Sequence, residues 1–237
     1  MHIDIKIKSS ENEFLILGIM ELLRKKNLIG ELNKFGGFDE ILFHSGGPLT
    51  KKSKKSIIIG PSKFRFKAKQ PTIDKLPPNN QLVNPIKGNI ALGPKPTNLV
   101  WNVEEWKDNK WELINSVEGD SFSKGLEKIE RYLPEIDSSP GTVCGAFAYD
   151  LCQWTQPWQL IHPPKENSLI GILFSIERWV IHDREKEIIE IGSTNDNVWV
   201  KEVYNTINSI NDLKNLFPKW PEKKTPSDIN FISNFSD

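Results

Sequence analysis

The segment SLIGILFSIERWVIHDREKEIIEIGS, Ser168 to Ser193, constrains the fold more than any other stretch of the chain. β-Branched and aromatic side chains dominate both sides of a charged HDREKE run, and Ile188, Ile189 and Ile191 return after it. That pattern reads as a hairpin with the charged run at its turn. A lone hairpin is marginal in water, so the rest of the chain has to supply more strands. MHIDIKIK does so, with Ile3, Ile5 and Ile7 on one face and His2, Asp4, Lys6 and Lys8 on the other. Further strand text covers Glu40 to His44, SIIIGPSKFRFKAK with a Gly-Pro break, and TVCGAFAYDL.

Helical signals lie between these runs. Ser10 followed by Glu13 is a capping-box pattern ahead of an apolar stripe, Phe14, Leu15, Leu17, Leu22 and Leu23, that ends toward Gly30. Asp120 or Ser121 can cap a second helix through Phe122, Leu126, Ile129 and Leu133, and Val198 to Phe217 has an amphipathic pattern. Trp101, Trp106 and Trp111 recur among charges in a way that fits neither period, and short strands with a turn are expected there. From Gln70 to Leu99, prolines at 71, 77, 78, 85, 95 and 97 exclude a helix or a central strand, so an extended excursion is expected. The fold class is α+β.

With 237 residues, 38% hydrophobic and 26% charged, the chain can bury a sizeable core, and one domain is expected. Lys+Arg and Asp+Glu are balanced at 31 each, which removes the overall field that draws a protein to nucleic acid or an anionic membrane. The most apolar window, Phe14 to Leu23, contains Glu21 and falls short of the roughly 18 residues a membrane span needs. Two cysteines, Cys144 and Cys152, and no signal-like start lead us to expect a reduced, cytoplasmic protein.

EILFHSGGPLTKKSKKSIIIG, Glu40 to Gly60, holds the residues most suggestive of chemistry. It is not a Walker loop: Pro48 after Gly46-Gly47 has no N–H to donate, and no glycine precedes Lys51. His44 and Ser45 do not make a base–nucleophile dyad, because strand neighbours point to opposite faces. Lys63, Arg65, Lys67 and Lys69 alternate with Phe64, Phe66 and Ala68, which points to a core face and a solvated, charged strand edge rather than to nucleic-acid binding. His182-Asp183-Arg184 reads as turn residues. The histidines and cysteines lack metal-ligand spacing, so no metal site is expected.

The order of the motifs resembles the N-terminal domain of the chorismate-utilising synthases, component I of anthranilate synthase and of aminodeoxychorismate (para-aminobenzoate) synthase. Leu42-Phe43-His44-Ser45 is similar to that family's Leu-Leu-Glu-Ser or Leu-Leu-His-Ser strand, and Lys54-Lys55-Ser56 to the Arg-Tyr-Ser start of the next. Gly141, Gly145, Tyr149, Asp150 and Leu151 match its glycine-rich Tyr-Asp-Leu signature, with Thr142 and Ala148 in place of two glycines. Gln156 stands for a usual glutamate, and His182-Asp183 reverses a usual Asp-His. The histidine form at His44 tilts the resemblance to the aminodeoxychorismate branch.

The resemblance implies four layers, with two packed, mainly antiparallel sheets flanked by helices. Residues 1–217 would be the component I-like N-terminal domain and 218–237 a linker toward a chorismate-binding catalytic domain outside this chain. That domain, which holds the family's magnesium, and a glutamine amidotransferase subunit that delivers ammonia are the implied partners; no nucleic acid and no membrane are. The implied function is the non-catalytic, effector-pocket part of an enzyme that aminates chorismate to 4-amino-4-deoxychorismate for folate synthesis, inactive alone and without a cofactor of its own. Leu42, His44, Ser45, Lys55 and Ser56 are its candidates for a tryptophan-like effector pocket. The alternatives are the same domain of anthranilate synthase, which serves tryptophan synthesis, and a stand-alone amino-acid-binding or regulatory module.

Overall fold

The computed structural model describes residues 3–69, 99–119, 122–135, 140–148, 151, 168–213 and 216. In chain order the strands and helices are β1 Ile3–Lys8, α1 Leu15–Lys25, β2 Ile41–Phe43, β3 Lys55–Ile59, β4 Phe64–Lys69, β5 Leu99–Lys107, β6 Lys110–Gly119, α2 Phe122–Ile129, β7 Val143–Phe147, β8 Leu169–Ser175, β9 Arg178–Asp183, β10 Ile188–Ser193 and α3 Asn197–Asn208. The strands form two five-stranded sheets, ordered β1-β10-β9-β3-β2 and β6-β5-β4-β8-β7, with antiparallel pairing throughout. The α+β class is therefore observed. Among the described residues no helix is long and apolar enough to cross a membrane. The proline-rich excursion at 70–98 and the proposed caps Asp120 and Ser121 lie outside the described residues.

Two bent strand pairs join the sheets. β3 leads into β4 through Gly60-Pro61-Ser62-Lys63, and β8 leads into β9 through Ile176-Glu177. β3 pairs with β9 in the first sheet while β4 pairs with β8 in the second, so the same two chain segments run side by side across the corner. The Ser168–Ser193 segment, expected as one hairpin, thus contributes three strands to two sheets. The bend falls at Ile176-Glu177 because the hydrogen bonds change hands there: Glu177 accepts the Lys63 N–H at 3.1 Å and the Ser175 hydroxyl at 2.5 Å, and Ser175 Oγ accepts the Phe64 N–H at 3.0 Å. Gly60 donates its N–H to the Arg178 carbonyl at 2.9 Å. A Cβ at Gly60 would sit 2.7 Å from Arg178 Cβ and 2.9 Å from the Trp199 ring, so the close approach requires glycine.

Alternation along the first sheet sends Ile58, Val180, Ile189 and Ile191 toward α1 and α3, where Leu15, Ile16, Ile19, Trp199, Val203 and Ile207 complete a fully buried core. The opposite face contributes Ile59, Trp179 and Ile181, which pack with Ile176 and with Cys144 of β7. In the second sheet Phe66, Ala68, Leu99, Trp101 and Val103 pack under Ile129 of α2. Burial of this apolar surface is the main favourable term for each core.

Local details depart from expectation in physically informative ways. Glu13 does not close a capping box: α1 begins at Leu15 with no side-chain cap, and the Glu13 carboxylate crosses to accept the Gly47 N–H. The Phe14 N–H is taken by Asn12 instead, at 3.1 Å. The tryptophan segment forms one long hairpin, β5–β6, whose Asp108-Asn109 turn has φ of 49° and 59°, the left-handed pair that suits a two-residue connection. Trp106 and Trp111 face each other across it with ring centroids 5.2 Å apart. β4 is central, not an edge. Arg65 and Lys67 pair with Glu104 of β5 at 2.6 and 3.1 Å, so their charges are neutralised within the sheet rather than guarding its border. α3 spans Asn197–Asn208, capped by Asp196, whose Oδ1 accepts the Trp199 N–H at 2.9 Å; this is shorter than the amphipathic pattern through Phe217 implied.

Burial pushes the Glu177 carboxyl above the ordinary carboxylate range, while its bonds to Ser175 and Lys63 pull the other way. The native state therefore holds this proton to higher pH than the unfolded chain does. Its stabilising contribution is complete below the unfolded-state value and is lost as pH rises through the folded-state value. Replacing the carboxyl by an amide, Glu177→Gln, removes that loss. In urea titrations from about pH 4 to about pH 8, the variant's stability is expected to gain steadily on the wild type; a gap that stays constant across this range contradicts the assignment.

Candidate functional site

The β2–β3 hairpin is short, and its polar residues gather where it meets the β9–β10 turn. β2 ends at Phe43, which frees His44 and Ser45 from strand geometry. Ser56, fully buried on β3, stands opposite His182 of β9 in the ladder. The Ser45 N–H donates to Ser56 Oγ at 2.9 Å, and His44 Nδ1 lies 3.4 Å from the same oxygen. Leu42 turns inward and packs against the core beneath α1. Of the five pocket candidates, three, His44, Ser45 and Ser56, are thereby brought together. Lys55 points elsewhere, 3.7 Å from Asp183, and its neighbour Lys54 is 2.5 Å from Glu185.

The HDREKE run supplies groups whose part in this cluster the sequence did not reveal. His182 and Asp183 belong to β9 and are buried; the turn proper is Arg184 to Glu187. Asp183 has the turn role expected of it, accepting the Lys186 N–H at 3.1 Å. His182 Nε2 lies 2.7 Å from the Ser10 carbonyl oxygen, which makes Nε2 the protonated nitrogen and leaves Nδ1 a buried acceptor with no partner among the described residues. Burial lowers the pKa of this imidazole; the Ser10 carbonyl and Asp183 oppose the shift, whereas the positive charge of Arg184 and the neighbouring His44 deepen it. His182 is therefore neutral at physiological pH.

Arg184 is only 7% exposed and holds the hairpin to the rest of the chain. Its Nε donates to the Glu11 carbonyl at 2.9 Å, and Nη1 donates to the carbonyls of Ser45 at 3.1 Å and Gly47 at 3.0 Å, with Ser53 at the edge of reach. A guanidinium suits this task because its fixed fork reaches several carbonyls at once. No local sequence signal announces it, since the groups it ties lie up to 173 positions away in sequence.

The glycine-rich signature falls on β7, beside β8. A Cβ at Gly145 would come 2.0 Å from the Ile172 carbonyl oxygen, so glycine is required by the approach of the two strands. Gly141 occupies the left-handed region at φ 111°, and Leu151 packs against the core under α2. Tyr149 and Asp150 lie outside the described residues. Cys144, on the same strand, has its thiol pushed up to about 12, first by burial and second by the carboxylate charge of Glu177, and so is a poor nucleophile at neutral pH. Cys152 lies outside the described residues. Among the described residues no group of three or more His, Cys, Asp and Glu side chains is arranged to hold a metal ion.

Compared with models of known protein families and with curated proteins, the chain matches none.

Removing the Ser56 hydroxyl leaves the Ser45 N–H without its acceptor and opens a polar gap beside His182. Ser56→Ala is expected to lower the unfolding free energy by about 1–3 kcal/mol in urea titrations and to speed hydrogen exchange at the Ser45 amide. Unchanged exchange at that amide would remove Ser56 from its organising role.

Proposed function

We propose that this chain is the N-terminal, non-catalytic part of component I of an aminodeoxychorismate synthase, carrying the remnant of an amino-acid effector pocket. The observation that carries this is the contact between the two halves of the first motif: Ser45, from the Leu-Phe-His-Ser strand end, donates its N–H to Ser56, the serine of the following strand, at 2.9 Å. Two antiparallel sheets bearing helices, with the glycine-rich strand at a sheet edge, are compatible with the four-layer body of that family. His44 in place of glutamate favours the aminodeoxychorismate branch over the anthranilate branch.

On this reading chorismate, magnesium and the amination step belong to a chorismate-binding domain outside these 237 residues, and ammonia comes from a glutamine amidotransferase. No residue here is assigned a catalytic role. The pocket is a remnant because its polar groups satisfy one another. The buried Ser56 hydroxyl is taken by Ser45, and Lys55 is turned away toward Asp183 at 3.7 Å. A zwitterionic amino acid would have to displace the Ser45–Ser56 contact, at the cost of leaving a buried group unpaired.

Supplied with chorismate, ammonium and magnesium, the purified chain is expected to form no aminodeoxychorismate, and to co-elute in size exclusion with a separately expressed chorismate-binding domain of the family. Calorimetric titration with tryptophan is expected to show no saturable heat. Turnover by the chain alone, or failure to associate with any such domain, would overturn the assignment.

A further inference from the structure

Arg184 is a nearly buried cation that makes no ion pair among the described residues. Its bonds run to the backbone carbonyls of Glu11, Ser45, Gly47 and Ser53, and no carboxylate of the described residues lies within 4.0 Å of it. Asp183 pairs with Lys55 and Glu185 with Lys54, whereas Glu13, accepting the Gly47 N–H, keeps its charge on the same loop whose carbonyls Arg184 holds, beyond ion-pair distance of the guanidinium. Carbonyl dipoles orient a guanidinium but do not cancel its charge. Nε and Nη1 are used, whereas Nη2 makes no hydrogen bond among the described residues and is not sealed from solvent.

The surroundings add positive charge. His44 flanks Ser45, whose carbonyl Arg184 holds, and its Nδ1 lies 3.4 Å from Ser56 Oγ. Lys51 and Lys52 at the hairpin tip are exposed and make no ion pair among the described residues. A guanidinium fixed on one side by four carbonyls, with an unoccupied amine and two imidazoles close by, is organised before any ligand arrives. That organisation cuts the ordering cost of binding an anion, and a charge-assisted bond in a partly buried setting is stronger than one in open water.

We propose that Arg184, through Nη2 and with His44 beside it, forms a binding site for a compact oxyanion, a phosphate or carboxylate group, at the base of the β2–β3 hairpin. The site rests on Arg184, to which the chorismate reading gives no role, and shares His44 with the effector-pocket candidates. It gives the ordered hairpin a ligand that its serines, already satisfied, do not provide.

Inorganic phosphate and acetate are the probes, titrated separately into the full chain at constant ionic strength made up with chloride. Imidazole signals are followed by NMR for the four histidines, His2, His44, His162 and His182. Saturable movement of the His44 and His182 signals with one or both probes is expected, and the tighter probe identifies the oxyanion class. Arg184→Gln should weaken binding by roughly tenfold or more, the worth of one charge-assisted hydrogen bond. Since Arg184 also anchors the hairpin, His44→Ala serves as the variant that spares the fold, because His44 is exposed and makes one long contact at 3.4 Å. It should weaken binding severalfold. No saturable response, an equal response at all four histidines, or unaltered binding in His44→Ala would overturn the site. A parallel tryptophan titration keeps the two readings apart, since phosphate or acetate binding without tryptophan binding supports the site and leaves the chorismate assignment to the turnover and association experiments.

Discussion

The corner where the two sheets meet is the constraint on which the rest of this structure depends. Two continuous chain segments bend together there, β3 into β4 and β8 into β9, and each stays paired with the other on both sides of the bend. A bend in paired strands breaks the regular ladder, and every backbone group it frees has to be satisfied. Side chains do this work. Glu177 takes the Lys63 N–H, Ser175 takes the Phe64 N–H, and the Arg178 guanidinium reaches the Pro61 carbonyl at 2.6 Å while pairing with Asp196 at 2.8 Å. The buried carboxyl is the costly member of this set, as its raised pKa records.

The polar cluster at the far end of β3 and β9 follows from the same pairing. Because β3 and β9 are locked in register at the corner, Ser56 falls opposite His182, and the turn after β9 delivers Arg184 beneath the β2–β3 hairpin. Glu13 then ties the segment ahead of α1 to that hairpin, and the Glu11 carbonyl ties it to Arg184. The arrangement is a rigid frame of backbone-directed bonds around one cation, which suits holding a small group in place.

The periodic parts of the fold were legible in the sequence, because alternation and helical spacing report directly on which face is buried. β1, β3, β4 and α1 follow their Ile, Phe and Leu patterns closely. What was hidden involves partners distant in sequence. Lys63, Arg65, Lys67 and Lys69 looked like a guarded edge, since nothing local reveals that β5 and β8 flank β4 and that Glu104 pairs with Arg65 and Lys67. Ser10 and Glu13 matched a capping box, yet Glu13 finds a better use at Gly47, across the hairpin. In the polar cluster, His44, Ser45 and Ser56 lie close together, as their places in the motif suggested. The roles of His182 and Arg184 were not legible, because HDREKE reads as an ordinary turn until the ladder places it against Ser10, Glu11 and Ser45.

If the corner binds both sheets into one cooperative body, they should share a single stability. Native-state hydrogen exchange tests this most directly, by comparing the amides of Ile58 and Val180 in the first sheet with those of Phe66 and Ile172 in the second under increasing denaturant. The corner predicts that all four exchange with the same free energy and the same denaturant dependence, through global unfolding alone. One sheet opening at lower free energy than the other, with its own shallower dependence, would contradict it.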